Sequence, residues 1–258
     1  MQTERKRGIV IGGGNGIGAS CCKVMAREGW DVAVVDLDLS AAEAVAKTIH
    51  GPAYALDIAD LAAVEEVALE DERQRGPAHG LVVAAAAFQP IYAPDEMPMD
   101  LLRKILKVNF EGTFNANRVF ASAMARKGRG SIVNVASITA HGSSPQHAYG
   151  PTKAAVVSMT QNFAAQYGRS GVRVNSVSPG AVLVPRVLAR PPGRYAVDID
   201  SQMALGRRIQ PDEIAEGVEF LLSDRASAIT GADLMIDAGF EVANRWHIYG
   251  GVPGPVEH

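Results

Sequence analysis

Short runs of apolar, β-branched residues alternate along the chain with longer stretches in which apolar positions recur at helical spacing. The runs GIVIG (8–12), DVAVVD (31–36), AYALD (53–57), GLVVAA (80–85), GSIVNVAS (130–137), VRVNSVS (172–178) and DLMID (233–237) read as strands. Helices are expected over 16–28, 40–50, 60–75, 99–127, 147–168 and 211–223. The early runs are apolar nearly throughout rather than alternating, as strands buried on both faces should be. Strand–helix alternation sustained over seven strands predicts a doubly wound α/β architecture, a parallel sheet flanked by helices on both sides.

No repeat, low-complexity tract or linker-like stretch divides the chain, so residues 1–258 are expected to form a single Rossmann-like domain. One segment, 181–210, stands apart through Pro185, Pro191, Pro192 and Gly193. It follows a strand's C-terminal end, where ligands bind in such sheets, and reads as a substrate lid rather than a decorative insertion. After the last strand, 240–258 looks irregular. Trp246, Ile248 and Tyr249 argue for docking there, on another subunit for instance, and an exposed frayed tail is the competing reading.

Composition narrows the function classes. Apolar residues make up 47% and charged residues 21%, enough for a core and too little polarity for disorder. A net charge of −3 gives no electrostatic footprint for nucleic acid or an anionic membrane. The basic start, Glu4 to Arg7, is a solvated lead into the first strand. Cys21 and Cys22 are adjacent, a spacing that serves neither a redox pair nor a zinc site, and read as reduced thiols on a helix. The start of the chain lacks an apolar leader. The longest apolar run, LVVAAAAF (81–88), is too short to span a bilayer. A soluble, cytoplasmic protein is expected. His141 and His147 fit no common zinc spacing, so no metal is expected.

VIGGGNGIGAS follows the first strand and opens a helix. Gly12, Gly16 and Gly18 suit a tight turn, close backbone approach to a pyrophosphate and packing of helix on sheet. Amides at a helix N-terminus then meet the phosphates. Asp36 ends the second strand, where a carboxylate accepts hydrogen bonds from an adenosine ribose and repels a 2′-phosphate. Asn15 and Leu37 supply no compensating cation, so NAD is expected over NADP. Asp57 with Ile58 suits the adenine edge. Capping the next helix is the alternative role for Asp57, one that Asp60 fills better.

The spacing Gly12-xxx-Gly16-Ile17-Gly18 resembles the cofactor turn of the short-chain dehydrogenase/reductase family, and the likeness runs from Gly8 to about Gly239. A second motif supports it. In AYGPTKAAV (148–156), Tyr149 and Lys153 stand one helical turn apart. Hydride transfer to a carbonyl leaves charge on oxygen that a positioned acid must quench. A free tyrosine titrates near 10, and a cation within ~4–6 Å lowers such a pKa by about 1–3 units. Lys153 is placed to do this, making Tyr149 base in one direction and acid in the other. The resemblance implies that Lys153 also holds the nicotinamide ribose. It implies a substrate-binding hydroxyl from Ser137, at a spacing to Tyr149 one residue shorter than usual, with Ser143 or Ser144 as outside candidates. Asn109 is implied to bend the fourth helix and order water near the lysine. Ala85, Pro179, Gly180 and the backbone of Val182 are implied to line the cofactor, with Asn15, Ile17 and Leu37. A homotetramer pairing the helices near 99–127 and 147–168 is implied as well.

Pro151 lies between the two reacting side chains. A helix starting at about His147 or Ala148 puts it in the first turn, where amides lack intrahelical partners and proline removes nothing. A start capped by Ser144 would predict a kink instead.

Three departures from the family pattern stand out. Ile11 replaces a threonine, and Val184 another. Ala84 to Ala87 stand where Asn-Asn-Ala-Gly is usual, which puts that loop's geometry in question. Arg186, Arg190, Arg194, Arg207 and Arg208 crowd the expected lid. Pairing with an anionic substrate competes with a plain solvated surface. The expected function is interconversion of a small-molecule secondary alcohol and ketone using NAD. A catalytically weak NAD-binding regulatory protein is the alternative.

Overall fold

The computed structural model describes residues 5–188 and 198–254. Seven strands form one sheet: β1 (Arg7–Ile11), β2 (Asp31–Asp36), β3 (Ala53–Ala55), β4 (Gly80–Val83), β5 (Gly130–Val135), β6 (Val172–Pro179) and β7 (Asp233–Ile236). Their order is β3-β2-β1-β4-β5-β6-β7, and every neighbouring pair is parallel. The helices are α1 (Gly16–Arg27), α2 (Leu39–Ile49), α3 (Leu61–Arg75), α4 (Met99–Leu106), α5 (Thr113–Lys127), α6 (Tyr149–Tyr167), α7 (Pro185–Leu188), α8 (Pro211–Leu222) and α9 (Phe240–Ala243).

Alternate residues of strands β1 to β6 feed two separate cores. Val10, Val34, Val82, Val133 and Val177 pack with residues of α1, α2 and α8, whereas Ile9, Ile11, Val35, Leu81 and Ile132 pack with α3 and α5. Both faces are apolar, so the strands read as continuous runs.

Helix boundaries follow local chemistry. Asp38 accepts from the amides of Ser40 and Ala41 to start α2, and Asp60 accepts from Ala62 and Ala63 to start α3. Asp57 caps nothing; its carboxylate takes the amide of Ala59 at 3.0 Å. α8 starts with Pro211, and Glu213 reaches back to the Gln210 amide at 2.8 Å. At its far end, where carbonyls run out of helical partners, Arg173 donates to the carbonyls of Leu221, Leu222 and Ser223. α6 begins at Tyr149, so Pro151 is its third residue and costs no hydrogen bond.

The expected helix over 99–127 is interrupted. Between α4 and α5 the chain makes a π-helical turn, Lys107–Gly112, with the fully buried Asn109 inside it. Such turns arise where a side chain is needed in a register that an α-helix does not offer. The partners of Asn109, described below, give the reason here.

The strand order reverses between β1 and β4, and the loops leaving these strands meet there. Gly12 has φ +84°, and a Cβ on it would lie 2.4 Å from the amide nitrogen of Ala85. Gly18 lies under the same turn: a Cβ would come within 2.0 Å of the Gly12 carbonyl oxygen. Its contact is therefore helix against turn, rather than the helix against sheet expected from the spacing. Because the obstacle is backbone, Gly18→Ala should destabilise the fold by about 1–3 kcal/mol or more, as overpacking does. Urea unfolding measures this, and an unchanged midpoint would contradict the packing described.

Candidate active site

The turn after β1 is bound to the end of β2. Gly12 and Gly13 both donate to the Val35 carbonyl, at 2.7 and 2.9 Å, and the Gly14 amide donates to Asp36 Oδ2 at 2.9 Å. Asp36 Oδ1 takes the amide of Asp38 at 3.1 Å. The carboxylate is thus fixed at the strand end with oxygen lone pairs to spare. α1 makes its first intrahelical bond from Ala19 to the Asn15 carbonyl, so the amides of Gly16, Ile17 and Gly18 precede it. An open helix N-terminus next to a fixed carboxylate fits the pyrophosphate and ribose of a dinucleotide.

The other residues expected to line a cofactor also sit at carboxyl ends of strands. Leu37 is exposed directly after β2, and Ile58 is buried beyond β3, next to the exposed Asp57. Ala85 follows β4, its amide bonded to the Ile11 carbonyl at 3.0 Å. Pro179 ends β6, and Gly180 donates to the Ile236 carbonyl at 3.0 Å. The carbonyl of Val182 accepts from Val184 at 2.9 Å, and the Val184 side chain lies against Gly16.

β5 and α6 bring the reacting candidates together. Lys153 is 2% exposed, and its Nζ donates to the Val135 carbonyl at 2.7 Å. The same nitrogen lies 5.5 Å from the centre of the Tyr149 ring. Burial pushes the lysine pKa down from 10.5 to about 8. Roughly nine in ten molecules still carry the charge at pH 7, so the ammonium remains available to the phenol. Tyr149 is buried, its ring stacked on Phe88 at 5.2 Å.

Ser137 follows β5 and caps a short 3₁₀ turn, Ile138–Ala140. Its Oγ accepts from the Thr139 amide at 3.2 Å and the Thr139 hydroxyl at 3.0 Å. Two accepted bonds leave the serine's own proton to point elsewhere, which suits donation to a substrate oxygen. Ala136, at the more usual spacing, is buried and donates its amide to the Val177 carbonyl. The shortened loop is anchored instead by His141, whose Nε2 lies 2.8 Å from Asp233 and 3.2 Å from Ser178. Of the outside candidates, Ser143 is exposed and Ser144 Oγ takes the Gln146 amide at 3.4 Å.

Asn109 binds protein on both ends of its amide. Oδ1 accepts from the Ala87 amide at 2.7 Å, while Nδ2 donates to the Ala87 carbonyl at 3.0 Å and to Thr152 Oγ1 at 3.2 Å. Both side-chain protons are used, so the expected water-ordering role has only the oxygen's remaining lone pair available. What the π-turn achieves is a clamp on the loop after β4.

The sequence left Gln89 unnoticed. Its Oε1 accepts from the amides of Ala148 and Tyr149, at 2.8 and 3.2 Å, and so holds the start of α6. A cap drawn from about sixty residues away leaves no local sequence signature.

The expected lid leaves and rejoins the fold at one point. Leu183 donates to the Ile209 carbonyl at 2.9 Å, and Ile209 donates to the Ala181 carbonyl at 3.1 Å. Arg190 and Arg194 lie outside the described residues, as does the side chain of Arg186. Arg207 pairs with Glu213 at 2.7 Å and Arg208 with Asp200 at 3.1 Å, which favours the plain-surface reading for these two. In the tail, Trp246, Ile248 and Tyr249 are exposed on a single turn rather than docked on their own chain. Both cysteines are buried and free, and burial pushes the Cys21 thiol up to about 12. Among the described residues, no cluster of side chains could hold a metal ion.

Comparison with known proteins bears on the fold and the family. A family model described as Enoyl-(Acyl carrier protein) reductase matches residues 12–241. The chain is 34% identical to D-threitol dehydrogenase of Mycolicibacterium smegmatis, over 94% of this chain and 95% of that protein. It is 35% identical to galactitol 2-dehydrogenase of Rhizobium johnstonii, over 93% and 96%. Among solved structures, one named ribose-5-phosphate isomerase, from Brucella melitensis, superposes with a TM-score of 0.93 at 39% identity, over 98% of this chain and 99% of that one. Levodione reductase superposes with a TM-score of 0.87 at 28% identity, over 93% and 99%.

The buried ammonium makes stability depend on pH in a stated direction. Lys153 holds its proton less tightly when folded, at about 8, than at its ordinary 10.5. Between these values the unfolded chain binds more protons, so stability rises with pH. The penalty of burying the charge is complete below the folded value and absent above the unfolded one. Relative to Lys153→Met, the wild-type protein should gain stability between pH 8 and 10.5, read from urea midpoints. A difference constant with pH would show that the charge is not buried.

Proposed function

The chain belongs to the short-chain dehydrogenase/reductase family and is an oxidoreductase acting on CH–OH groups; from that premise we propose an NAD(H)-dependent dehydrogenase that interconverts a secondary alcohol and a ketone. In this reading one domain holds both cofactor and substrate, and Tyr149 carries the proton. The observation that carries it is the Lys153 ammonium, buried one helical turn from the Tyr149 ring. A catalytically weak regulatory protein would have no use for that pair.

When bound, the nicotinamide supplies or accepts the hydride. The chain's own residues handle the oxygen. Ser137 donates to the substrate oxygen and orients it. In oxidation the phenolate of Tyr149 removes the hydroxyl proton as the C–H bond breaks; in reduction the phenol returns a proton to the carbonyl oxygen. Lys153 lowers the energy of the phenolate and holds the nicotinamide ribose with its remaining N–H groups. Asn109 keeps the loop after β4 in place beside them.

Asp36, with its carboxylate fixed between the Gly14 and Asp38 amides, supports NAD over NADP. Relatives named for threitol and galactitol support a polyhydroxylated substrate. Leu106, Phe110 and Phe114 are 46%, 45% and 42% exposed along α4, the π-turn and α5, which supports a homotetramer joined through this face. Free buried thiols support a cytoplasmic location, and among the described residues no helix is long and apolar enough to cross a membrane.

Three measurements test this reading. Incubated with NAD and a panel of secondary alcohols and polyols, the protein should generate NADH absorbance. Tyr149→Phe should lower kcat by about 10²–10⁴-fold while NAD still binds, the loss expected for a general acid–base group. Unchanged turnover would remove Tyr149 from the mechanism. Asp36→Ala should raise kcat/KM with NADP relative to NAD by at least about tenfold, the equivalent of ~1.4 kcal/mol. A constant ratio would remove Asp36 from cofactor selection.

A further inference from the structure

We propose that Gln89 is a positioning residue for the reaction, its side-chain carbonyl holding the first turn of α6 so that the Tyr149 phenol is aimed at the substrate oxygen. The proposal rests on the reading of Tyr149 as the proton carrier.

The first amides of any helix lack intrahelical partners. At α6 the residue before the helix is Ala148, whose side chain cannot accept a hydrogen bond, and no local side chain caps the helix. Gln89 Oε1 does so from outside, taking Ala148 N at 2.8 Å and Tyr149 N at 3.2 Å. Backbone amides only donate, so the oxygen of this side chain must face them and Nε2 must face away. Gln89 is 3% exposed, and its Nε2 is buried without a hydrogen-bond partner among the described residues. A buried donor left unpaired is a standing cost. Methionine would fill a similar volume without it, so the carbonyl half is what the position uses.

The neighbouring residues constrain the same point. Ala87 is gripped on its amide and carbonyl by Asn109, and Phe88 stacks on the Tyr149 ring at 5.2 Å. Gln89 then takes the backbone amide of Tyr149 itself. Three consecutive residues thus tie the π-turn, the reacting ring and the start of its helix into one unit. One turn later Lys153 is fixed on the Val135 carbonyl. Loss of the Gln89 bonds frees the start of α6 while Lys153 stays pinned, which changes the phenol–ammonium geometry directly.

Gln89→Met and Gln89→Glu separate aiming from mere support. The first removes the acceptor. It should lower kcat by about 10–100-fold, as sub-ångström to 1 Å misplacement does, with KM for NAD within twofold of wild type. Gln89→Glu keeps the acceptor and places a negative charge at the backbone amide of Tyr149, opposite in sign to Lys153. It should restore kcat to within about threefold at high pH and move the limb of the kcat–pH profile that follows phenol ionisation up by about 0.5–1 unit, since like charge disfavours the phenolate. A kcat for Gln89→Met within twofold of wild type in a folded protein would overturn the proposal, as would an unmoved limb in Gln89→Glu. Should Gln89→Met not fold, the Gln89→Glu profile decides alone. Ultraviolet titration of each protein against its Tyr149→Phe counterpart reads the phenol without turnover. If wild type oxidises no alcohol, the dehydrogenase reading fails, while an upward shift of that titration by Gln89→Glu still supports the placement of Gln89 and an unmoved one still overturns it.

Discussion

Lys153 keeps an ammonium inside the protein, hydrogen-bonded to the Val135 carbonyl at 2.7 Å. Removing an ion from water costs several kcal/mol even after relaxation of its surroundings, and the depressed pKa of about 8 records that cost. The charge survives at neutral pH because one strand carbonyl faces it, while burial weakens its hold on the proton. The consequence is positional. The end of β5 and the second turn of α6 must stay at a fixed separation, which also fixes Ser137 just beyond the strand and Tyr149 at the first turn. A mobile lysine in solvent would exert far less pull on the phenol, because water would screen it.

That arrangement explains how the loop after β4 tolerates alanine at 84–87. Side chains that could tie this strand end to its surroundings are missing from the loop, and the restraint comes from the opposite side. Asn109 reaches out of a π-helical turn to hold both backbone polar groups of Ala87, and the same side chain reaches Thr152 of α6. An ordinary α-helical register across 107–112 would rotate residue 109 relative to its flanking helices. The irregular turn and the bare loop are two parts of one solution.

Most of the fold was legible in the sequence because both sheet faces are apolar and several helices announce their start. Asp38, Asp60 and Pro211 mark starts in the local sequence, and the strand runs match the observed strands to within two residues at either end. The glycine turn, Asp36, Ser137, Tyr149 and Lys153 stand at the carboxyl ends of strands or the helix starts next to them, as their spacing implied. Features that depend on non-local contacts were not legible. The π-turn is set by a partner 22 residues away, and the cap on α6 by one 59 residues away. The backbone under Gly18 belongs to its own turn and not to the sheet, a distinction that spacing cannot make. Sequence patterns register periodicity and local caps, and side chains that brace two loops leave no period.

In the proposed reading, Asp36 joins support and selection in one side chain. The carboxylate proposed to read the adenosine ribose already accepts from Gly14 and Asp38. The first of these bonds fixes the glycine turn at the start of α1, and the second fixes the chain leading into α2. In that reading one side chain would set both the shape of the pyrophosphate cradle and the charge met by the 2′ position. In the proposed reading, a nucleotide carrying a 2′-phosphate would meet repulsion from a group that cannot swing away without losing its bonds to Gly14 and Asp38. Selectivity gained this way is stiffer than that of a solvent-exposed carboxylate, because evading the charge means breaking hydrogen bonds that hold the cradle together.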